Sequence, residues 1–184
     1  MFEHAQDFQG QGLSDRFADQ LGSLSPMFGV WLWQNPCWLS FRLNFLGAGF
    51  NSPIYGAIES TFGLKRPEVV VLYALGLKDG LAAKDICAAT VFPKNTISRA
   101  IQTLLQRKLI RRATDRTDRR SFVLRLTDGG REVVDQVVPQ MVERERVMLG
   151  ALTAGEQHML YELLTKMVVA SGDWPANTEP QEAS

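Results

Sequence analysis

Across residues 92–126 the hydrophobic period of the chain changes twice, and that change limits the folds open to it. From Pro93 onward Ile97, Ala100, Ile101, Leu104 and Leu105 recur at helical spacing, which predicts an amphipathic helix over 93–107. Lys94, Asn95, Thr96, Ser98, Arg99 and Gln102 fall on its outer face. Residues 109–114 and 121–126 then read as two strands, joined by the short turn Asp115-Arg116-Thr117-Asp118-Arg119-Arg120. Helix, strand, Arg-rich turn and strand in that order predict a winged helix-turn-helix, mainly α with a small β-wing.

The formal net charge is zero, but its distribution is uneven. Residues 94–131 hold eleven Lys/Arg against three acids, a net +8. Residues 1–35 carry −3, residues 36–93 carry +1 and residues 132–184 carry −6. A basic block inside a neutral chain points to a polyanionic partner. The ordinary alternative is a solvated charged face. Because the block coincides with the helix and wing, double-stranded DNA is the expected partner.

Other classes are disfavoured. Arg42, Asn44 and Lys78 interrupt the longest apolar runs, so no membrane span is expected. The first residues are acids and Gln rather than a basic segment before an apolar one, so no signal peptide is read and a cytoplasmic location is expected. Cys37 and Cys87 do not make a disulfide framework. His4 and His158 share no ligand-like spacing with them, so no metal and no cofactor is implied. The chain has no nucleotide-binding glycine loop, no metal dyad and no Ser-His-acid arrangement, which argues against an enzyme.

Around this centre, residues 1–35 read as a loose N-terminal arm with a short helix at 13–21. Residues 36–62 are helical in pattern, with a kink or break expected near 49–52 from Gly47, Gly49 and Pro53, and Ser52 a candidate cap for the second half. A helix over 67–77 is apolar nearly all round and so expected to be buried. A short helix over 82–89 turns Ile86 to the core, and Pro93 sits in the first turn of the next helix. Thr127-Asp128-Gly129-Gly130 opens a long helix, 128–149, with a kink at Pro139. Thr153 and Glu156 have capping-box spacing for a last helix, 154–170, with Leu160, Leu163, Leu164, Met167 and Val168 apolar. The tail, 171–184, reads as disordered. Residues 63–127 form the expected DNA-binding domain, and 36–62 with 128–170 a helical dimerisation region. Those helices carry more apolar stripe than one small winged domain can bury, so a homodimer on a pseudo-palindromic site is expected.

The N-terminal end of a recognition helix enters the major groove and needs fork-shaped or short polar groups there. Arg99 suits guanine, and Asn95 and Gln102 suit adenine, whereas Lys94, Thr96 and Ser98 suit phosphate. In the turn, Arg119 is the candidate for the narrow minor groove. Arg116 and Arg120 add charge, and Asp115 and Asp118 brace the turn.

The stretch Leu109-Ile110-Arg111-Arg112, then Asp115-x-x-Asp118-Arg119-Arg120, then Leu126-Thr127-Asp128-Gly129-Gly130-Arg131, with Leu152-Thr153-x-x-Glu156 opening the last helix, resembles the MarR family of bacterial winged-helix regulators. The resemblance covers residues 36–170. It implies a homodimer that represses transcription and leaves DNA when a small aromatic or phenolic ligand, or an oxidant, is sensed. Three departures stand out: Lys108 where members often have Gly, Arg116 where Pro is common, and the breakers Gly47, Gly49 and Pro53 in the first helix.

For a signal, Trp38, Phe41, Arg42, Phe45 and Tyr73 are candidates to line a cleft, with Arg42 holding a carboxylate. The alternative makes the aromatics dimer core and Arg42 an ion pair. Cys37, near the start of the first long helix, is the candidate redox thiol, although Ser40 stands where the peroxide-sensing branch of the family has its Cys. Cys87 reads as a small buried hydrophobe. A constitutive or architectural DNA-binding protein remains the alternative to a ligand-released repressor.

Overall fold

The computed structural model describes residues 26–90, 92–114 and 122–174. The helices are α1 (Pro26–Trp33), α2 (Trp38–Phe62), α3 (Arg66–Leu77), α4 (Ala83–Ala88), α5 (Lys94–Gln106), α6 (Asp128–Leu149) and α7 (Ala154–Ala170). Strands β1 (Ile110–Thr114) and β2 (Phe122–Leu126) stand between α5 and α6, and a 3-10 turn covers Ser171–Asp173. The chain divides into two units, Met1–Gln140 and Met141–Ser184, with the division inside α6.

In the first unit α2, α3, α4 and α5 each turn buried apolar residues to a shared core. In α3, Pro67 lies in the first turn and the Glu68 carboxylate accepts from the Lys65 N–H at 2.8 Å. Val69, Val71, Leu72 and Leu75 are buried, while Tyr73 and Leu77 are exposed, so α3 is one-sided rather than buried all round. The apolar stripe of α5 is buried as its spacing predicts: Ile97 and Leu104 at 0%, Ala100 and Ile101 nearly so. Ile86 of α4 is fully buried with them. Each buried isoleucine or leucine among them contributes about 1.5–3 kcal/mol of burial.

The strands pair antiparallel in the register Ile110↔Leu126, Arg111↔Arg125 and Arg112↔Leu124. Leu81 adds an antiparallel bridge on the other edge of β2: the Leu124 N–H donates to the Leu81 carbonyl at 2.8 Å, and the Gly80 N–H to the Leu124 carbonyl at 3.1 Å. Asp79 fastens the same edge, accepting from the Leu126 N–H at 3.1 Å and from Arg125 Nη1 at 2.7 Å.

A hydrogen-bonded junction joins α5, β1 and α6. The Leu109 N–H reaches the Leu104 carbonyl at 3.0 Å, closing α5. Its own carbonyl accepts from the Thr127 N–H at 3.1 Å. Thr127 Oγ1 lies 2.8 Å from the Lys108 carbonyl and 3.0 Å from that of Leu109, and accepts from the Gly130 N–H at 3.1 Å. A Cβ on Gly130 would collide with the Leu109 carbonyl oxygen, so the backbones approach this closely only because residue 130 is glycine. Lys108 takes the left-handed conformation, φ 56°, at a cost of about 1–2 kcal/mol for an L-residue.

Two further expectations are not met. The loose arm does not reach residue 35, because residues 26–33 form α1. Its sequence is apolar on every side, so no amphipathic period signals a helix. Its end is tied down by Arg42, whose Nη2 donates to the Leu32 carbonyl at 2.7 Å. The expected helix at 13–21, the arm before residue 26 and the tail from 175 lie outside the described residues. Of the kink or break expected at 49–52, the break is absent: α2 runs 25 residues through Pro53, and Ser52 lies inside it rather than at a cap. Proline's fixed φ is helical, so it removes one hydrogen bond and crowds one carbonyl, while cooperativity and packing on both sides hold the helix. Phe41 and Phe45 anchor the first half on α1, and buried Ile54 and Ile58 anchor the second.

In the second unit Thr153 caps α7. Its hydroxyl accepts from the Glu156 N–H at 3.4 Å, and the Glu156 carboxylate accepts from the Thr153 N–H at 2.8 Å. The Gln157 amide donates to the carbonyls of Leu149 and Leu152, closing the turn before α7. No residue of α7 is buried. Met159, Tyr161, Leu163, Val168 and Val169 are all at least half exposed.

The junction generates a pair of opposite stability effects. Gly130→Ala destabilises the protein by about 3 kcal/mol, near the top of the range for overpacking. Lys108→Gly stabilises it by about 0.5–1 kcal/mol, the relieved left-handed strain less the added freedom of the unfolded chain. Urea unfolding of both variants checks the signs.

Candidate nucleic-acid interface

The outer face of α5 is held by its inner one. Pro93 takes the N-cap position rather than the first turn, with extended backbone, φ −55° and ψ 144°. Ile97, Ala100, Ile101 and Leu104 bury the opposite side, which fixes the rotation of the helix. Lys94, Asn95, Ser98, Arg99 and Gln102 therefore line one open depression. None of them makes an ion pair with a described residue. Ser98 donates its hydroxyl to the Lys94 carbonyl at 2.8 Å, back into its own helix. Thr96 is half-buried and does not line the depression. Arg116, Arg119 and Arg120, with the bracing acids Asp115 and Asp118, lie outside the described residues.

The basic block divides by use. Arg107 donates to the carbonyls of Phe62 and Gly63, at 2.7 and 2.9 Å, and so closes the C-terminus of α2. Arg125 is paired with Asp79 at 2.7 Å. These two cations are structural. Lys108, Arg111 and Arg112 are exposed, and they line a second depression that shares Gln102 with the first. Sequence reasoning counted their charge but gave them no role. The available signal was the consecutive pair Arg111-Arg112 on a strand flanked by a lysine in place of a turn glycine.

The candidates for a ligand cleft do not assemble as one. Phe41 and Phe45 form an aromatic cluster with Phe28 and Trp31, ring centroids 5.0–6.0 Å apart. Arg42 lies 5.7 Å from the Trp38 ring centroid and 5.8 Å from that of Trp33, and donates to the carbonyls of Leu32 and Trp38. Partial burial lowers its pKa from the usual guanidinium value. Arg42 is thus engaged in tying α1 to α2, and Tyr73 is exposed on α3. A different depression runs along α2, lined by Asn44, Asn51, Ser52, Tyr55 and Arg66 among others. The Arg66 guanidinium there lies 5.2 Å from the Tyr55 ring centroid and 5.5 Å from that of Phe92.

Cys37 is exposed at the N-cap of α2, and its N–H donates to the Asn35 side chain at 2.9 Å. Cys87 is half-exposed rather than buried, because α4 is only six residues long and turns Ile86, not its neighbour, to the core. Among the described residues no group of three or more His, Cys, Asp and Glu is arranged to hold a metal. No helix among them is long and apolar enough to cross a membrane.

Comparison with known proteins places this geometry. Residues 62–121 match the sequence profile of the MarR family. The transcriptional regulator HosA of Escherichia coli is 30% identical over 57% of this chain and 78% of its own length. The transcriptional repressor NicR of Pseudomonas putida is 29% identical over 55% of this chain and 64% of its own. The PcaV transcriptional regulator of Streptomyces coelicolor, solved in complex with its natural ligand, superimposes with a TM-score of 0.58 and 25% identity, over 74% of this chain and 94% of that one. The chain spans 64% to 79% of the length of the curated relatives it matches.

The division of the cations predicts a split phenotype. Arg107→Ala lowers stability by about 1 kcal/mol, the worth of its bonds to the end of α2, and leaves DNA sequence preference unchanged. Arg99→Ala and Gln102→Ala leave stability unchanged and each cost about 1–3 kcal/mol of discrimination at one base pair. Thermal unfolding beside binding to a panel of single-base operator variants separates the two classes.

Proposed function

The chain belongs to the MarR family of transcriptional regulators, and from that premise we propose that it is a cytoplasmic, homodimeric repressor that reads a pseudo-palindromic operator and is released by a small aromatic ligand. The observation that carries the DNA-reading part is the outer face of α5. It gathers Lys94, Asn95, Ser98, Arg99 and Gln102 in one open depression with no described acid among its lining residues, on a helix whose rotation is fixed by four buried residues. Asn95, Arg99 and Gln102 read base edges, and Lys94, with Thr96 and Ser98 at the edge, sets the register on phosphate. The wing turn adds Arg116, Arg119 and Arg120, with Arg119 in the minor groove.

The unburied apolar face of α7 supports the dimer. A helix of 17 residues gains little from propensity alone and needs tertiary burial, yet none of its residues is buried within one copy. A second copy supplies the missing surface through an isologous contact, which matches half-sites about one helical turn of DNA apart. Repression follows the relative NicR, and a small-molecule signal follows PcaV. The depression along α2 suits an aromatic acid, because Arg66 there offers a cation beside the Tyr55 ring and the amides of Asn44 and Asn51.

The test is binding of the purified protein to the intergenic DNA upstream of its own gene and to scrambled DNA of equal length, with and without a panel of aromatic acids and a peroxide. The proposal expects tight binding to the first duplex alone, relieved by one acid. Binding of equal strength to both duplexes overturns sequence reading in favour of an architectural role. Relief by peroxide alone, abolished by Cys37→Ser, replaces the ligand with an oxidant. Arg119→Ala weakens binding while the dimer persists in sedimentation; unchanged affinity at moderate salt overturns the wing contact.

A further inference from the structure

Three cations of the basic block lie outside the recognition face. Lys108, Arg111 and Arg112 line a depression beside the C-terminal half of α5, together with Gln102 and Gln106 of that helix. None makes a hydrogen bond or ion pair with its side chain to a described residue. One of them stands where the backbone is strained. Lys108 occupies a left-handed position, φ 56°, where glycine is unstrained. Arg111 stands directly opposite Arg125 in the β1–β2 register, and like charges so placed repel. Asp79 pairs with Arg125 at 2.7 Å, which relieves that repulsion, and no described acid pairs with Arg111. Left-handed strain kept at Lys108, beside exposed arginines with no described acid partner, points to a ligand that supplies negative charge.

Gln102 borders both depressions, so the strip begins where the recognition face ends. We infer that Lys108, Arg111 and Arg112 bind the DNA phosphate backbone, extending the footprint of α5 toward its C-terminal end. The inference rests on the reading of α5 as the recognition helix. On it, these residues add affinity without sequence information, because phosphates are alike at every base pair. They also fix how deeply the helix sits, because strip and helix are joined through the junction at Leu109.

The experiment measures the salt dependence of binding for the full chain and for Lys108→Gly, Arg111→Ala, Arg112→Ala and the triple variant. The probes are the upstream intergenic duplex and a scrambled duplex of equal length, between 50 and 200 mM KCl. Each single change is expected to flatten the slope of log Kd against log salt by about 0.9 on both duplexes, and the triple variant by about three times as much. The preference between duplexes stays as in the wild type. Circular dichroism confirms that Lys108→Gly, which relieves strain, remains folded. An unchanged slope in the triple variant overturns the strip, and so does a changed preference between the duplexes, which makes these residues base readers. Equal wild-type affinity for the two duplexes instead overturns the recognition reading and leaves the slopes to judge the strip alone.

Discussion

The contact between the Leu109 carbonyl and the segment from Thr127 to Gly130 holds the winged unit together. One carbonyl accepts the Thr127 amide, one hydroxyl bridges β1 to the first turn of α6, and the absence of a Cβ at residue 130 lets the two backbones meet. This junction sets where β1 leaves α5 and where β2 hands over to α6. The run Leu126-Thr127-x-x-Gly130 is therefore a structural device. Its leucine is buried, its threonine crosslinks three segments and its glycine provides clearance. The orientation of the α5 outer face depends on it, because α5 ends in the same junction through the Leu109–Leu104 hydrogen bond.

Electrostatics then sorts the arginines into two groups that composition cannot distinguish. Arg107 and Arg125 satisfy carbonyls and a carboxylate, and Arg42 ties α1 to α2 in the same way. Those guanidiniums do the work of caps and clips, for which a planar donor fork is well suited. Lys94, Arg99, Lys108, Arg111 and Arg112 face open depressions and make no such bonds to a described residue. A net charge of +8 thus overstates the surface open to a polyanion, and the geometry shows which part of it is available.

Much of this was legible in the sequence where pattern and chemistry agree. The stripe Ile97, Ala100, Ile101 and Leu104 gave α5 and its rotation, and the spacing of Thr153 and Glu156 gave the start of α7. The bounds of α6 and α7 were readable to the residue. What was not legible lacked a period or depended on contacts distant in sequence. Residues 26–33 are apolar on all sides, so α1 carried no amphipathic signal. Pro53 and the two glycines argued locally for a break that packing at Phe45 and Ile58 overrides. Within one copy the cleft candidates do not line one depression, because Arg42 is bonded ten residues back, at Leu32, and Tyr73 sits on another helix. The strip at Lys108, Arg111 and Arg112 needed the register to show Arg111 facing Arg125, and Arg125 already bound to Asp79.

The central claim is that the outer face of α5, presented twice by a two-fold dimer, reads base edges. Selection of bound duplexes from a randomised pool, followed by sequencing, tests it most directly. The account predicts an enriched inverted repeat whose half-site centres lie about 10 base pairs apart. A selected pool with no enriched sequence, or one holding a single unrepeated half-site, would contradict it.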